Sequence, residues 1–320
     1  MTRNHSIDVM RILMAFLVVT IHWPFEGRAG QVFITYGKTA VPFFFAVCGY
    51  FLFREDTDEM MKRLKKQAKR IGILYIAAKA FYGAYLAIFL RISEGSFKGM
   101  KEFFTPEAVK ELLLYNFSPF SEHLWFLGSL LYALLIMMLL NKLKILKPAL
   151  FAGPVLIALY VILSHLEIGS PVQLRNAILV GMGYTMTGML VSRYKEKILD
   201  IKYLKPVLWI SFAVLAYTAI VELNTYKQGT GVPFISCEFL TFVMLLLCLK
   251  YPDIGKDTFA EKLGRDCSLP IYIMHIFVMH LMAVTGNDGF FGRFPPVCIF
   301  VITAFFAYLY SNIKKAIIRN

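Results

Sequence analysis

The stretch SIDVMRILMAFLVVTIHWPF, residues 6–25, is apolar over almost its whole length. About 20 such residues in an α-helix cross the hydrocarbon core of a bilayer. Similar runs recur along the chain, at 7–25, 32–53, 71–92, 123–141, 149–167, 175–192, 207–223, 234–249, 267–285 and 296–313. Within lipid a segment must satisfy its own backbone hydrogen bonds, so each run is read as a helix. The expectation is an all-α polytopic membrane protein of about ten transmembrane helices. Composition agrees: 58% of the residues are hydrophobic and 17% charged. The first run lacks a small-residue cleavage site and reads as a retained span rather than a signal peptide.

A net charge of +13 would suit a nucleic-acid partner, but its distribution points elsewhere. With the N-terminus placed in the cytoplasm, 23 of the 34 Lys and Arg fall in inside segments, 6 in outside segments and 5 within spans. The outside group includes Lys227 and Arg293. That asymmetry follows the positive-inside rule and puts both termini in the cytoplasm. The basic charge is a topology signal that meets anionic lipid headgroups, and no nucleic-acid partner is expected. The five cysteines (Cys48, Cys237, Cys248, Cys267, Cys298) lie in or beside apolar runs without a C-x-x-C pair. They read as packing thiols, neither a disulfide framework nor a metal site.

No internal repeat, linker or low-complexity tract divides the chain, so a single domain over 1–320 is expected. In the outside loop 93–122, TPEAVKELLLYNF has an N-cap in Thr105, a Pro at the first helical position and one apolar side. It predicts a short amphipathic helix on the outer membrane surface. The segment 54–70 predicts a cytoplasmic extension of the third span. Pro42, Pro233, Pro270 and Pro295 are expected to kink or end their helices.

The first span carries Asp8, Arg11 and His22. At 100° per residue, Arg11 and His22 differ by only about 20° around the axis. Asp8 sits on the neighbouring turn. A rise of about 1.5 Å per residue sets Arg11 and His22 about 16 Å apart along one stripe. One face thus bears an anion binder at one depth and a proton acceptor at another. Intramembrane charges are functional candidates by default. The plainer reading stays open: Asp8 only pairs with Arg11, and His22 points to the interface beside Trp23.

Ser268, Tyr272 and His275 share a face of the ninth span, which is expected either to meet the first span with an oxyanion donor or second base, or to form a polar packing seam. His280 falls nearly opposite His275, and no metal is expected. Glu238, Glu222, Lys38 and Lys79 either pair with one another or line an acceptor cavity. His123 and Trp125 open the fourth span at the outer interface, as anchors or as a stacking surface for substrate. His165 reads as interfacial and His5 as part of a flexible start. Gly181, Gly183 and Gly188 are expected to let helices approach closely.

These motifs, in this order, resemble the acyltransferase-3 family of integral membrane acyltransferases. Arg11 and His22 match its Arg and His separated by ten residues in the first helix. VPFFFAVCGYFLF (41–53) is similar to its phenylalanine-rich Ser-Gly-Tyr/Phe stretch, with Cys48 where Ser is usual. KKQAKRIGILY (65–75) matches its R-x-x-R at Arg70, with Gln67 at the first Arg and Lys66 and Lys69 alongside. HLWFL (123–127) and SLPIYIMHIF (268–277) match its Trp and Ser…Tyr…His motifs. The resemblance covers nearly the whole chain.

The resemblance implies transfer of an acyl group, commonly acetyl, from cytoplasmic acyl-CoA to a hydroxyl on an envelope glycan, a lipid or a small molecule, in a bacterial-type cytoplasmic membrane. No resident cofactor is expected; acetyl-CoA enters as a substrate. Arg11, Arg70, Lys69 and Lys66 are expected to hold the anionic donor. His22, with Asp8, is expected to act as base or as transient acyl carrier. Tyr272, His275, Ser268, Trp125, His123 and Glu238 are expected to support the acceptor. A transporter is the alternative, because related membrane domains are fused to amino-acid racemases in some vancomycin-resistance proteins. There Arg11 would bind a carboxylate of a serine-like amino acid and His22 would gate or relay protons. The chain ends at Asn320 with no soluble domain, which fits an isolated enzyme or a trimmed fragment.

Overall fold

A computed structural model describes residues 3–225, 231–285 and 294–319; Lys227 and Arg293 lie outside them. The described residues are helical with no strand. The helices run in order α1 (His5–His22), α2 (Gly27–Gly37), α3 (Ala40–Leu52), α4 (Thr57–Ser93), α5 (Pro106–Tyr115), α6 (Trp125–Lys142), α7 (Leu146–Ala149), α8 (Ala152–His165), α9 (Pro171–Leu174), α10 (Gly183–Arg193), α11 (Lys195–Leu199), α12 (Leu204–Thr225), α13 (Ile235–Lys250), α14 (Phe259–Thr285) and α15 (Pro295–Arg319). Among the described residues, eight helical stretches are long and apolar enough to cross a membrane. The other two expected spans are shorter. Residues 175–192 become a capped π-helical turn, Ala177–Met182, running into α10. α13 has 16 residues, about 24 Å of helix against a hydrocarbon core of about 30 Å. Large apolar side chains stay exposed, such as Ile76 at 69% and Ile92 at 80%, as a lipid solvent permits.

The chain divides into two compact units, one of residues 1–44 with 196–320 and one of residues 45–195.

In the first unit, α1 begins where Asn4 caps the Ile7 amide and donates its own amide to the Cys248 carbonyl. It ends at His22 because the next residue, Trp23, precedes Pro24 and is held extended. α14 packs along α1, and the approach is close. A methyl group on Gly264 would lie 1.7 Å from the Asp8 carbonyl oxygen, so only glycine fits there. Ile12, Ala15 and Val19 of α1 meet Cys267, Ile271, Val278 and Met282 of α14, with α15 adding Ile299, Ala304 and Ala307. The spacings of three, four and seven are those of one helical face. Pro270 lies inside α14, which continues through it. Pro42 and Pro295 sit in first turns, where a missing N–H costs nothing.

In the second unit, Met60, Leu64, Ala68, Ile71, Tyr75, Ala78 and Tyr82 bury one stripe of α4, which packs on α6. α3 and α10 touch through glycines: Cβ atoms on Gly49 and Gly188 would lie 1.8 Å from the Thr185 oxygen and 2.0 Å from the Ala46 oxygen. Gly181 and Gly183 pack closely against Ser129 and Ile157, as their positions in the sequence suggest. α5 forms as expected behind Thr105 and Pro106, with no buried residue.

Candidate functional site

At its start α1 is fastened by two buried carboxylates. Asp8 accepts from Arg11 Nη1 at 2.9 Å and from Arg3 Nε at 3.2 Å. Glu261, in the first turn of α14, pairs with Arg3, lies 2.9 Å from His5 Nδ1 and accepts from the Asp257 amide at 2.7 Å. A buried carboxylate is tolerable only when paired and hydrogen-bonded, and both are. His5 is therefore the first residue of a helix with a partner, where the sequence suggests a flexible start. Arg3 and Glu261 carry no signal in the sequence, because nothing local links residues more than 250 positions apart.

His22 lies fourteen positions beyond Asp8 along α1, about 21 Å. Asp8 acts on Arg11 and not directly on the histidine. The ion pair orients the guanidinium, and the side chain of Arg11 remains 25% exposed, within reach of an anion.

At the other end of α1, the His22 and His275 rings lie 5.0 Å apart between centroids, tilted by 50°. Tyr272 follows, 6.1 Å from His275. Of the Ser268, Tyr272 and His275 face, His275 is the residue whose ring meets the first span. Ser268, Tyr272 and His275 are all buried, whereas His22 is exposed. His275 Nδ1 lies 2.7 Å from the Tyr272 carbonyl and 3.3 Å from that of Ile271. A carbonyl oxygen only accepts, so Nδ1 carries the proton and Nε2 the lone pair of the neutral ring. The pair thus combines a reachable imidazole with one of fixed tautomer. His280 is exposed on the other side of α14.

Elsewhere in this unit, buried Glu238 shares α13 with Ser236, which donates to Glu222. Lys38 donates to the Val232 carbonyl at 2.8 Å and lies 4.6 Å from the Phe234 ring centroid. Glu222, Glu238 and Lys38 occupy one neighbourhood, around Cys237.

In the second unit, Lys66, Lys69 and Arg70 are exposed along α4. Gln67 turns inward and approaches Cys48 Sγ at 3.7 Å. The two departures from the family motifs thus touch each other. Trp125 takes the Arg175 guanidinium over its ring at 5.8 Å. His123 is 4% exposed and packs edge-on to Tyr82 at 4.7 Å. Lys79 belongs to this unit and is far in sequence from the other three unusual charges.

Helices with lipid-type surfaces and a histidine pair at a helix end describe a multi-pass membrane protein with a candidate acid–base site. The chain belongs to the acyltransferase-3 family: the family model described as an acyltransferase domain matches residues 4–311. It is also similar to an amino-acid racemase of Enterococcus faecalis, 23% identical over 352 residues that cover 98% of this chain and 47% of the relative. The chain therefore spans about half the length of that curated relative. No solved structure matches.

Proposed function

We propose that this chain is a membrane O-acyltransferase that moves an acyl group, acetyl in the simplest case, from acyl-CoA to a hydroxyl of an envelope glycan, lipid or small molecule. The observation that carries it is the His22–His275 pair, within a chain of the acyltransferase family. His22 takes the proton of the acceptor hydroxyl as its oxygen attacks the thioester carbonyl. The tetrahedral intermediate collapses, the carbon–sulfur bond breaks, and the CoA thiolate recovers the proton from the imidazolium. His275, its Nδ1–H held by backbone carbonyls, stands beside the His22 ring as a second base. Arg11, oriented by Asp8, supplies a guanidinium for an anionic part of the donor. Lys66, Lys69 and Arg70 form an exposed basic edge suited to CoA phosphates. Ten spans, both termini in the cytoplasm and a bacterial-type cytoplasmic membrane complete the proposal.

The test is acyl transfer from labelled acetyl-CoA into envelope fractions, with His22→Ala beside wild type. Full activity at normal protein level would rule out a catalytic His22.

A second reading rests on the similarity to an amino-acid racemase. In it the chain carries a serine-like amino acid across the membrane, Arg11 binds the carboxylate, and His22 relays protons. Uptake of labelled serine into vesicles, run beside the transfer assay, separates the two.

A further inference from the structure

Within the second unit lies a polar cluster that the proposed acyl transfer does not use. Lys79 stands one turn beyond Tyr75 on α4. Its Nζ donates to Ser121 Oγ at 2.8 Å and lies 5.4 Å from the Tyr75 ring centroid and 5.1 Å from that of Phe120. Among the described residues no carboxylate pairs with it. Charges in apolar surroundings are ordinarily matched by an opposite charge. Here a hydroxyl and two rings take that place.

The segment following α5 brings a second unusual group next to Gly128, which Tyr75 also borders. Asn116 adopts a left-handed backbone, φ 59°, that closes α5, and its side chain is turned inward at 1% exposure. Neither its Oδ1 nor its Nδ2 has a hydrogen-bond partner. A buried amide left without any bond costs free energy, and such groups are rare. Gly128 fixes the location. A methyl group there would lie 3.0 Å from Asn116 Cβ and 3.1 Å from Tyr75 Oη, so both residues border one point on α6. Apolar residues at 79 and 116 would fold more cheaply. An amine and an amide N–H₂ both donate, and the amide oxygen accepts.

We propose that Lys79, Asn116, Ser121 and the rings of Tyr75 and Phe120 form a binding site for a small solute bearing an anionic oxygen group, carboxylate or phosphate, beside a hydroxyl. Lys79 and the Asn116 amide hold the anion, Asn116 Oδ1 takes the hydroxyl, and the rings cover the carbon skeleton. The site stands on the second unit alone and holds whichever way the acyl-transfer test falls.

The experiment is equilibrium binding to the purified full chain in nanodiscs, with glucuronate, glucose 6-phosphate and neutral glucose as probes. Saturable binding of either anionic probe, at least about tenfold tighter than glucose, is expected, a gap equal to one charge-assisted hydrogen bond. Glucuronate alone marks a carboxylate site, glucose 6-phosphate alone a phosphate site, and both an unselective one. Lys79→Met should weaken the anionic probe at least about tenfold. Asn116→Asp is nearly isosteric and gives Lys79 a carboxylate of its own, so it should abolish binding with the fold intact. Failure of both anionic probes to saturate the wild type overturns the proposal. So does wild-type affinity in a folded variant of either kind.

Discussion

The imidazole of His22, the last residue of α1, lies 5.0 Å from that of His275 on α14. Two groups this close act on one solute or on each other. Removal of either should lower transfer by about 10²- to 10⁴-fold if both share the proton-transfer step. The double variant His22→Ala/His275→Ala should lose little more than the worse single variant, since groups acting as a unit are not additive. Rates of the three variants, measured across pH, check this. Full additivity would show that the rings work independently.

Asp8 and Arg11 give a sharper division of roles. If Asp8 serves by holding Arg11, Asp8→Asn should raise KM for acetyl-CoA several-fold and leave kcat near wild type. It should also cost about 1–3 kcal/mol of stability, because Arg3 and Arg11 lose charge-assisted bonds. Steady-state kinetics and thermal unfolding in detergent read the two effects. A collapse of kcat at unchanged KM would return Asp8 to the catalytic machinery.

Gly264 and Gly83 should respond in opposite directions to the same substitution. Gly264→Ala drives a methyl group into the Asp8 carbonyl and should destabilise by about 3 kcal/mol. Gly83 lies within α4, and a methyl group there would meet nothing within 4 Å. Its change to Ala should gain about 0.5–1 kcal/mol from helix propensity. Melting temperatures of the two variants, in the same detergent, decide it.

The exposed basic edge of α4 predicts an ionic-strength effect. Neutralising Lys66, Lys69 and Arg70 together should raise KM for acetyl-CoA by about tenfold at low salt and by much less at high salt, where exposed charges are screened. Stability should change little, because surface charges contribute about 0–1 kcal/mol each. A KM independent of both salt and substitution would move the donor elsewhere.

Much of the first unit is legible in the chain. Asp8, Arg11 and His22 fall on one stripe because the helical repeat is fixed by backbone geometry. The face of Ser268, Tyr272 and His275 follows from the same repeat. Residues that act through distant partners are not legible. His5 reads as flexible because Glu261 lies 256 positions away. The packing of His123 on Tyr82 is hidden because Tyr82 belongs to another helix. The break in residues 175–192 is not legible either, since hydropathy does not register a π-turn or an early cap such as that at Asn176.

The sequence by itself determined the class of molecule, the helical state of its apolar runs and the family, since these depend on solvent transfer and on local periodicity. Tertiary structure alone decided that His275 faces His22, that Gly264 admits α1 against α14, and that Asn116 turns its amide inward next to Gly128. Each of these depends on which faces of separate helices meet. That choice is made by packing and by the satisfaction of buried charge, summed over residues far apart in the chain.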